Sequence, residues 1–272
     1  MAMAGSSIPQ PPVRPIVGNV PDVGLDVPIQ NMMKLARQYG PIYKLAFPGR
    51  SVLIISGHEI IADACDESRF EKYVSGPLKH IRDFAGDGLF TAYNTEPNWA
   101  KAHRLLMPAF GPAAMRNYFE DMVDIADQML TRWERYGPAA AVDVVDNMTR
   151  LTLDTIALCG FAYRFNSFYQ REMHPFVEAM VRALGEAGNR ASRVPLQTRL
   201  MLMTQRQYDA DVRLMMKIVD DLIAERRRLS PDEAPRDLLG LMLTAKDPVT
   251  GDRLDDDNIR FQLITFLIAG HE

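Results

Sequence analysis

The sequence is short of cysteine, of long apolar runs and of any excess of charge, and each shortage removes a class of protein. Only two cysteines, Cys65 and Cys159, occur in 272 residues. They lie far apart and form neither a CxxC pair nor a metal-ligand spacing, which argues against a disulfide framework and fits a reducing, cytoplasmic setting. No run of about 18 apolar residues is present, so no membrane anchor is expected. Met1 to Ser7 are too few and too polar for a signal sequence. The 31 basic and 35 acidic residues leave a net charge of -4, which offers nucleic acid no electrostatic footprint. What is present is a 47% hydrophobic content, enough for a sizeable globular core.

Ile8 to Asn19 is proline-rich and is expected to run extended over a surface. Ile29, Met32, Met33 and Leu35 have helical spacing within Pro28 to Tyr39, which Gly40-Pro41 ends. Two β-forming runs, Ile42 to Phe47 and Ser51 to Ser56, flank the turn signal Pro48-Gly49-Arg50. From Gly57 onward the pattern is helical, broken at Gly76-Pro77, Gly111-Pro112, Gly137-Pro138, Ser192 to Pro195, Ser230 to Pro235 and Asp247-Pro248. The fold class is therefore mainly α with a small β element. In Gln205 to Leu229 the residues Tyr208, Val212, Met215, Val219 and Leu222 form one apolar stripe, open to packing on neighbouring helices or to a coiled-coil partner. Arg226-Arg227-Arg228 closes that helix and reads as a solvated run.

Two places suggest chemistry. Thr95-Glu96-Pro97 is a helix start, and Trp99 and His103 follow four residues apart on one face, where two ring N–H groups can meet an anion. The last stretch, Phe261 to Glu272, is an apolar helix with an arc of roughly 220° and only Gln262 and Thr265 on its polar remainder. Asp255, Asp256 and Asp257 suit its N-terminus. Gly270, inside that helix, calls for a reason, since glycine costs about 1 kcal/mol there relative to alanine.

Several longer stretches carry a resemblance: Ala64-Cys-Asp-Glu-Ser-Arg-Phe70, Arg82-Asp-Phe-Ala-Gly-Asp-Gly-Leu-Phe90, Asp146 to Ile156, Leu158-Cys-Gly-Phe161, Tyr163 to Tyr169 and Ile264-Thr-Phe-Leu-Ile-Ala-Gly-His-Glu272. Together they resemble the cytochrome P-450 haem-thiolate monooxygenases, most closely the bacterial self-sufficient fatty-acid hydroxylases that fuse a haem domain to a flavin reductase. The resemblance implies that residues 1–272 are the N-terminal portion of a P-450 haem domain. About 1–60 would hold the proline-rich stretch, a helix and the hairpin, and about 61–272 the helical part. It implies haem as cofactor, with FAD, FMN and NADPH if a reductase domain follows, and a fatty acid or similar amphiphile as substrate. Lys72, Trp99 and His103 would meet a haem propionate, with Leu89, Phe90 and Ala269 also against the haem. Leu78, Ile81, Ala85, Phe90 and Ile268 would line the substrate channel, and Arg50 would meet the substrate carboxylate. The family's tyrosine partner of Arg50 stands here as Ile54, which leaves a differently held substrate open. Ala269, Gly270 and Glu272 would belong to the oxygen-activation helix, with the glycine leaving room for dioxygen.

The axial cysteine of that family has no counterpart. Cys65 and Cys159 read as small buried side chains rather than iron ligands. Glu225/Arg228 and Glu233/Arg236 fit the family's Glu-x-x-Arg spacing only by chance, because both precede the terminal helix. The expectation is a piece of a longer haem domain, with the thiolate ligand beyond Glu272, inactive and poorly soluble alone. Two other readings remain: a helical protein that binds a lipid without catalysis, and a zinc hydrolase whose HExxH helix would begin at His271-Glu272.

Overall fold

The structure, a computed structural model, describes residues 8–24, 26–193, 195–230 and 232–271. The expectations for Met1 to Ser7 and for Glu272 fall outside those residues. The chain divides into two compact units, Met1–Glu71 and Lys72–Glu272.

The first unit contains α1 (Val20–Val23), α2 (Pro28–Tyr39), the strands β1 (Ile42–Phe47) and β2 (Arg50–Ile55), and α3 (His58–Ala64). The strands pair antiparallel, with Phe47 opposite Arg50 and Tyr43 opposite Ile54. The turn is therefore the two residues Pro48-Gly49, with Gly49 at φ 76°, and Arg50 opens β2 instead of sitting in the turn. Alternation along β1 buries Tyr43 and Leu45, and the Tyr43 hydroxyl donates to the Met32 carbonyl of α2 at 2.8 Å. The proline-rich stretch does more than run over a surface. It turns back on itself between Arg14 and Gly18, and the buried Asn19 accepts from the Ala46 amide at 2.9 Å while donating to the Pro12 carbonyl. A side chain at Gly18 would meet the Ala46 carbonyl oxygen at 2.2 Å, so β1 approaches that turn backbone to backbone.

The second unit is helical: α4 (Pro77–Ala85), α5 (Pro97–Leu106) with a 3-10 turn Met107–Phe110, α6 (Pro112–Tyr136), α7 (Val144–Phe161), α8 (Pro175–Ser192), α9 (Pro195–Leu200), α10 (Leu202–Arg228), α11 (Leu238–Thr244) and α12 (Asp256–Ala269). Local chemistry sets the starts. Proline occupies the first position of α4, α5, α6 and α8, where its missing N–H costs nothing. Asp143, Asp237 and Asp255 cap α7, α11 and α12 by accepting from backbone amides three residues on. Helix α8 packs on α4 and α10, and α12 packs on α4, α7, α10 and α11. The core between them includes Phe84, Leu153, Phe176, Met215, Leu239 and Leu263. The α10 stripe faces α8 and α12, so intramolecular packing occupies the seam that a coiled-coil partner would have used.

Three sequence expectations are corrected here. Arg226 is not solvated: it is buried, forms a two-pronged pair with Asp237 at 2.6 and 2.7 Å, and donates to the Phe161 carbonyl at 2.7 Å. Cys65 is exposed just past the end of α3, whereas Cys159 is buried as expected. Gly270 lies beyond the last turn of α12 rather than inside it, and a side chain there would meet Ile156 of α7 at 2.8 Å. Close helix packing is thus one sufficient reason for this glycine.

Candidate functional site

The turn that leaves α4 is pressed onto α12. Gly86 has φ 43°, and a Cβ on it would lie 2.3 Å from the Phe261 ring. A Cβ on Gly88 would lie 2.3 Å from Thr265 Oγ1. The Asp-Gly-Leu segment between α4 and Phe90 can seat here because its glycines carry no side chain.

Along α12, Asn258, Gln262, Thr265 and Ala269 fall on one stripe by their spacing of four, three and four. Hydropathy leaves the first three as the polar side of the helix, yet Asn258 and Gln262 are fully buried and Thr265 nearly so. They face the turn. Asn258 Nδ2 donates to Asp87 Oδ1 at 2.8 Å and to its carbonyl at 3.1 Å, Gln262 Nε2 donates to Asn258 Oδ1 at 3.1 Å, and Gln262 Oε1 accepts from the Leu89 amide at 3.0 Å. Thr265 Oγ1 is buried without a partner among the described residues. Ala269, one turn on, is exposed. Neither Asn258 nor Asp87 nor Gln262 was singled out from the sequence as a site residue. Two amides four apart on an otherwise apolar helix were the signal for them.

Beyond Leu89 the chain is held from the other side. Lys72 Nζ donates to the Leu89 carbonyl at 3.0 Å and lies 5.7 Å from the Trp99 ring centre. Burial lowers the Lys72 pKa, Glu96 opposes that effect, and Arg82 adds to it. Arg82 donates to the Thr91 carbonyl at 2.7 Å and forks onto Glu96 at 2.7 and 2.9 Å. The Arg82 bonds hold the Glu96 carboxyl below its usual range. On α5 the Trp99 and His103 rings are stacked, 5.2 Å between centres and 15° between planes. Their N–H groups have no hydrogen-bond partner among the described residues, and both side chains are half-buried. Lys72, Trp99 and His103 therefore assemble as one donor-rich group.

The apolar candidates divide. Phe90 is 50% exposed, Leu89 and Ile268 are half-buried and Ala269 is open, while Phe266 meets Phe110 with ring centres 5.5 Å apart. Ile81 and Ala85 lie inside the core, and Leu78 packs against it. Arg50 belongs to the first unit, where its guanidinium is 5.9 Å from the Phe47 ring centre. Burial pushes the Cys159 thiol up to about 11, so it is protonated at neutral pH and unsuited to serve as a thiolate ligand.

Comparison with known proteins identifies this class of architecture. The chain belongs to the cytochrome P-450 family, whose model matches residues 8–272. It is 51% identical over 267 residues to bifunctional cytochrome P-450/NADPH-P-450 reductase 1 of Bacillus subtilis, covering 98% of this chain and 25% of that protein. The same figures hold for a bifunctional cytochrome P-450/NADPH-P-450 reductase of Bacillus cereus. A self-sufficient cytochrome P-450 monooxygenase of Phanerodontia chrysosporium is 50% identical over the same length and coverage. The chain thus spans about a quarter of the length of the curated relatives it matches. Among the described residues no helix is long and apolar enough to cross a membrane.

The family implies haem, and the chemistry of the residues present is of the kind such a group needs. The unpartnered ring N–H groups of Trp99 and His103 beside the Lys72 ammonium suit carboxylates. The exposed Phe90 and Ala269 and the half-buried Ile268 are apolar surface of the kind a flat macrocycle could pack against.

Proposed function

We propose that this chain is the N-terminal part of a haem domain that hydroxylates a fatty acid or similar amphiphile, using O2 and electrons passed from NADPH through FAD and FMN of a fused reductase. The observation that carries this reading is the family match over residues 8–272 together with close identity to bifunctional P-450/reductase proteins. When bound, haem would supply activation of dioxygen for oxygen insertion into a C–H bond. The chain's own residues would do the rest. Trp99, His103 and Lys72 would hold the propionates, while Leu89, Phe90 and Ala269 would cover the haem face and exclude water. Leu78, Ile81, Ala85, Phe90 and Ile268 would shape the channel for an alkyl chain, and Arg50 would pair with a substrate carboxylate. Ala269 and Gly270 would border the oxygen site, and Glu272 would hand on protons.

The family's axial-cysteine stretch has no counterpart in residues 1–272, and burial keeps the Cys159 thiol protonated, so the thiolate is assigned to a longer polypeptide, for which a cytoplasmic location is proposed. The test is a reduced carbon monoxide difference spectrum paired with NADPH-driven turnover of long-chain fatty acids. The longer protein is expected to show the thiolate-type band and hydroxylated product, and residues 1–272 alone are expected to lack both. A thiolate-type band from the 272 residues alone, or its absence from the longer protein, would overturn the assignment.

A further inference from the structure

We propose that Gln262, backed by Asn258, is a positioning residue for Phe90: by holding the Leu89 amide it fixes where the Phe90 ring is presented to substrate. This rests on Phe90 being a pocket residue, as argued above. The Phe90 ring is 50% exposed, so packing does little to locate it. Its backbone is located instead. The Leu89 amide donates to Gln262 Oε1 at 3.0 Å, the Leu89 carbonyl accepts from Lys72 at 3.0 Å, and the Thr91 carbonyl accepts from Arg82 at 2.7 Å. Of these three grips, those of Lys72 and Arg82 come from charged side chains only partly buried, which solvent and nearby anions can compete for. Gln262, by contrast, is a neutral side chain that is itself fully buried.

A buried glutamine is unfavourable unless its groups are paired, and here each amide has one consistent orientation. Asp87 needs a donor and so selects Nδ2 of Asn258. That leaves Asn258 Oδ1 to accept Gln262 Nε2, which turns Gln262 Oε1 toward Leu89. Asp255 fixes the foot of the ladder by accepting from the Asn258 amide at 2.7 Å. The cap of α12, two amide side chains and the turn thus form a single chain of hydrogen bonds ending one residue before Phe90. Leucine at 262 would satisfy packing but not the Leu89 amide, so simple core filling does not account for this residue.

The experiment compares Gln262→Met, similar in shape but with no oxygen acceptor, with Gln262→Glu, which keeps the acceptor, in the longer haem-loaded protein. Amide exchange at Leu89 and the distribution of hydroxylation positions are both read, with Phe90→Ala as reference. Gln262→Met is expected to speed Leu89 exchange by about fivefold or more, the scale of one lost hydrogen bond, and to shift the product distribution. Gln262→Glu is expected to leave Leu89 exchange within twofold. If Gln262→Met does not fold, Asp87→Ala removes the adjoining rung from a partly exposed position and is expected to move both readouts in the same direction. Unchanged Leu89 exchange overturns the clamp. Faster exchange with unchanged products, where Phe90→Ala does alter them, overturns the positioning role. If Phe90→Ala leaves the products unchanged, the pocket reading fails and the positioning role falls with it, even though the exchange result stands.

Discussion

At Gly88 a single hydrogen in place of a methyl group decides how closely the turn after α4 can approach α12. A Cβ there would stand 2.3 Å from Thr265 Oγ1 and 3.0 Å from the Phe261 carbonyl oxygen, the latter being helix backbone that cannot move aside cheaply. Gly88→Ala should therefore destabilise the second unit by about 1–3 kcal/mol, the usual cost of overpacking. Gly185→Ala, at a helical position with open space around it, should be neutral or stabilising by up to about 1 kcal/mol. Urea unfolding of the two variants checks this, and equal midpoints would contradict the close-approach argument. Such contacts show how far single residues were legible in the sequence. Trp99 and His103 could be paired by spacing alone, because four residues in a helix bring side chains together whatever surrounds them. The burial of Arg226 and Gln262 could not, because each depends on a partner supplied by another element: Asp237 for the first and the Leu89 amide for the second.

At the scale of elements, boundaries were easier to read than burial, because prolines and aspartates at helix starts act within their own turn. The helix expected from Pro28 to Tyr39 forms over those residues, and the predicted start at Pro97 is observed. The start of α8 adds a pH-dependent variant of the same device. His174 caps it by accepting from the Phe176 amide through Nδ1 at 3.2 Å, with its ring centre 4.7 Å from that of Phe165. Burial lowers the His174 pKa below its ordinary value. A protonated ring cannot accept that bond, and the unfolded chain takes up the proton first. The stability is therefore fully present above the unfolded histidine value of about 6.5 and is lost as pH falls from there through the folded value. His174→Asn, which keeps a capping acceptor without a titrating ring, should flatten the fall of the melting temperature as pH drops below about 6.5. A slope as steep as that of the parent protein would remove His174 as its source.

At the scale of the molecule, the open apolar side chains Met107, Phe110, Phe119 and Phe90 have large exposed fractions in a chain that spans a quarter of its relatives. Where such side chains join into one patch, they mark a surface that a partner or ligand covers. Residues 8–272 prepared alone should bind a hydrophobic dye such as anilinonaphthalene sulfonate, and the longer haem-loaded protein should bind much less per molecule. Equal dye binding in the two would show that neither haem nor additional chain covers these side chains. The assignment to a haem domain came from motifs, whereas the way α12 is seated came only from the structure. Seating that helix through its polar stripe has a consequence for remodelling. Hydrogen bonds at Asn258 and Gln262 hold its register, since sliding by one residue would unpair both amides and the Leu89 amide together. The side chain at Ala269 is exposed and takes no part in those hydrogen bonds. A larger side chain there is expected to leave the paired amides, and so the placement of the rod that carries it, unchanged.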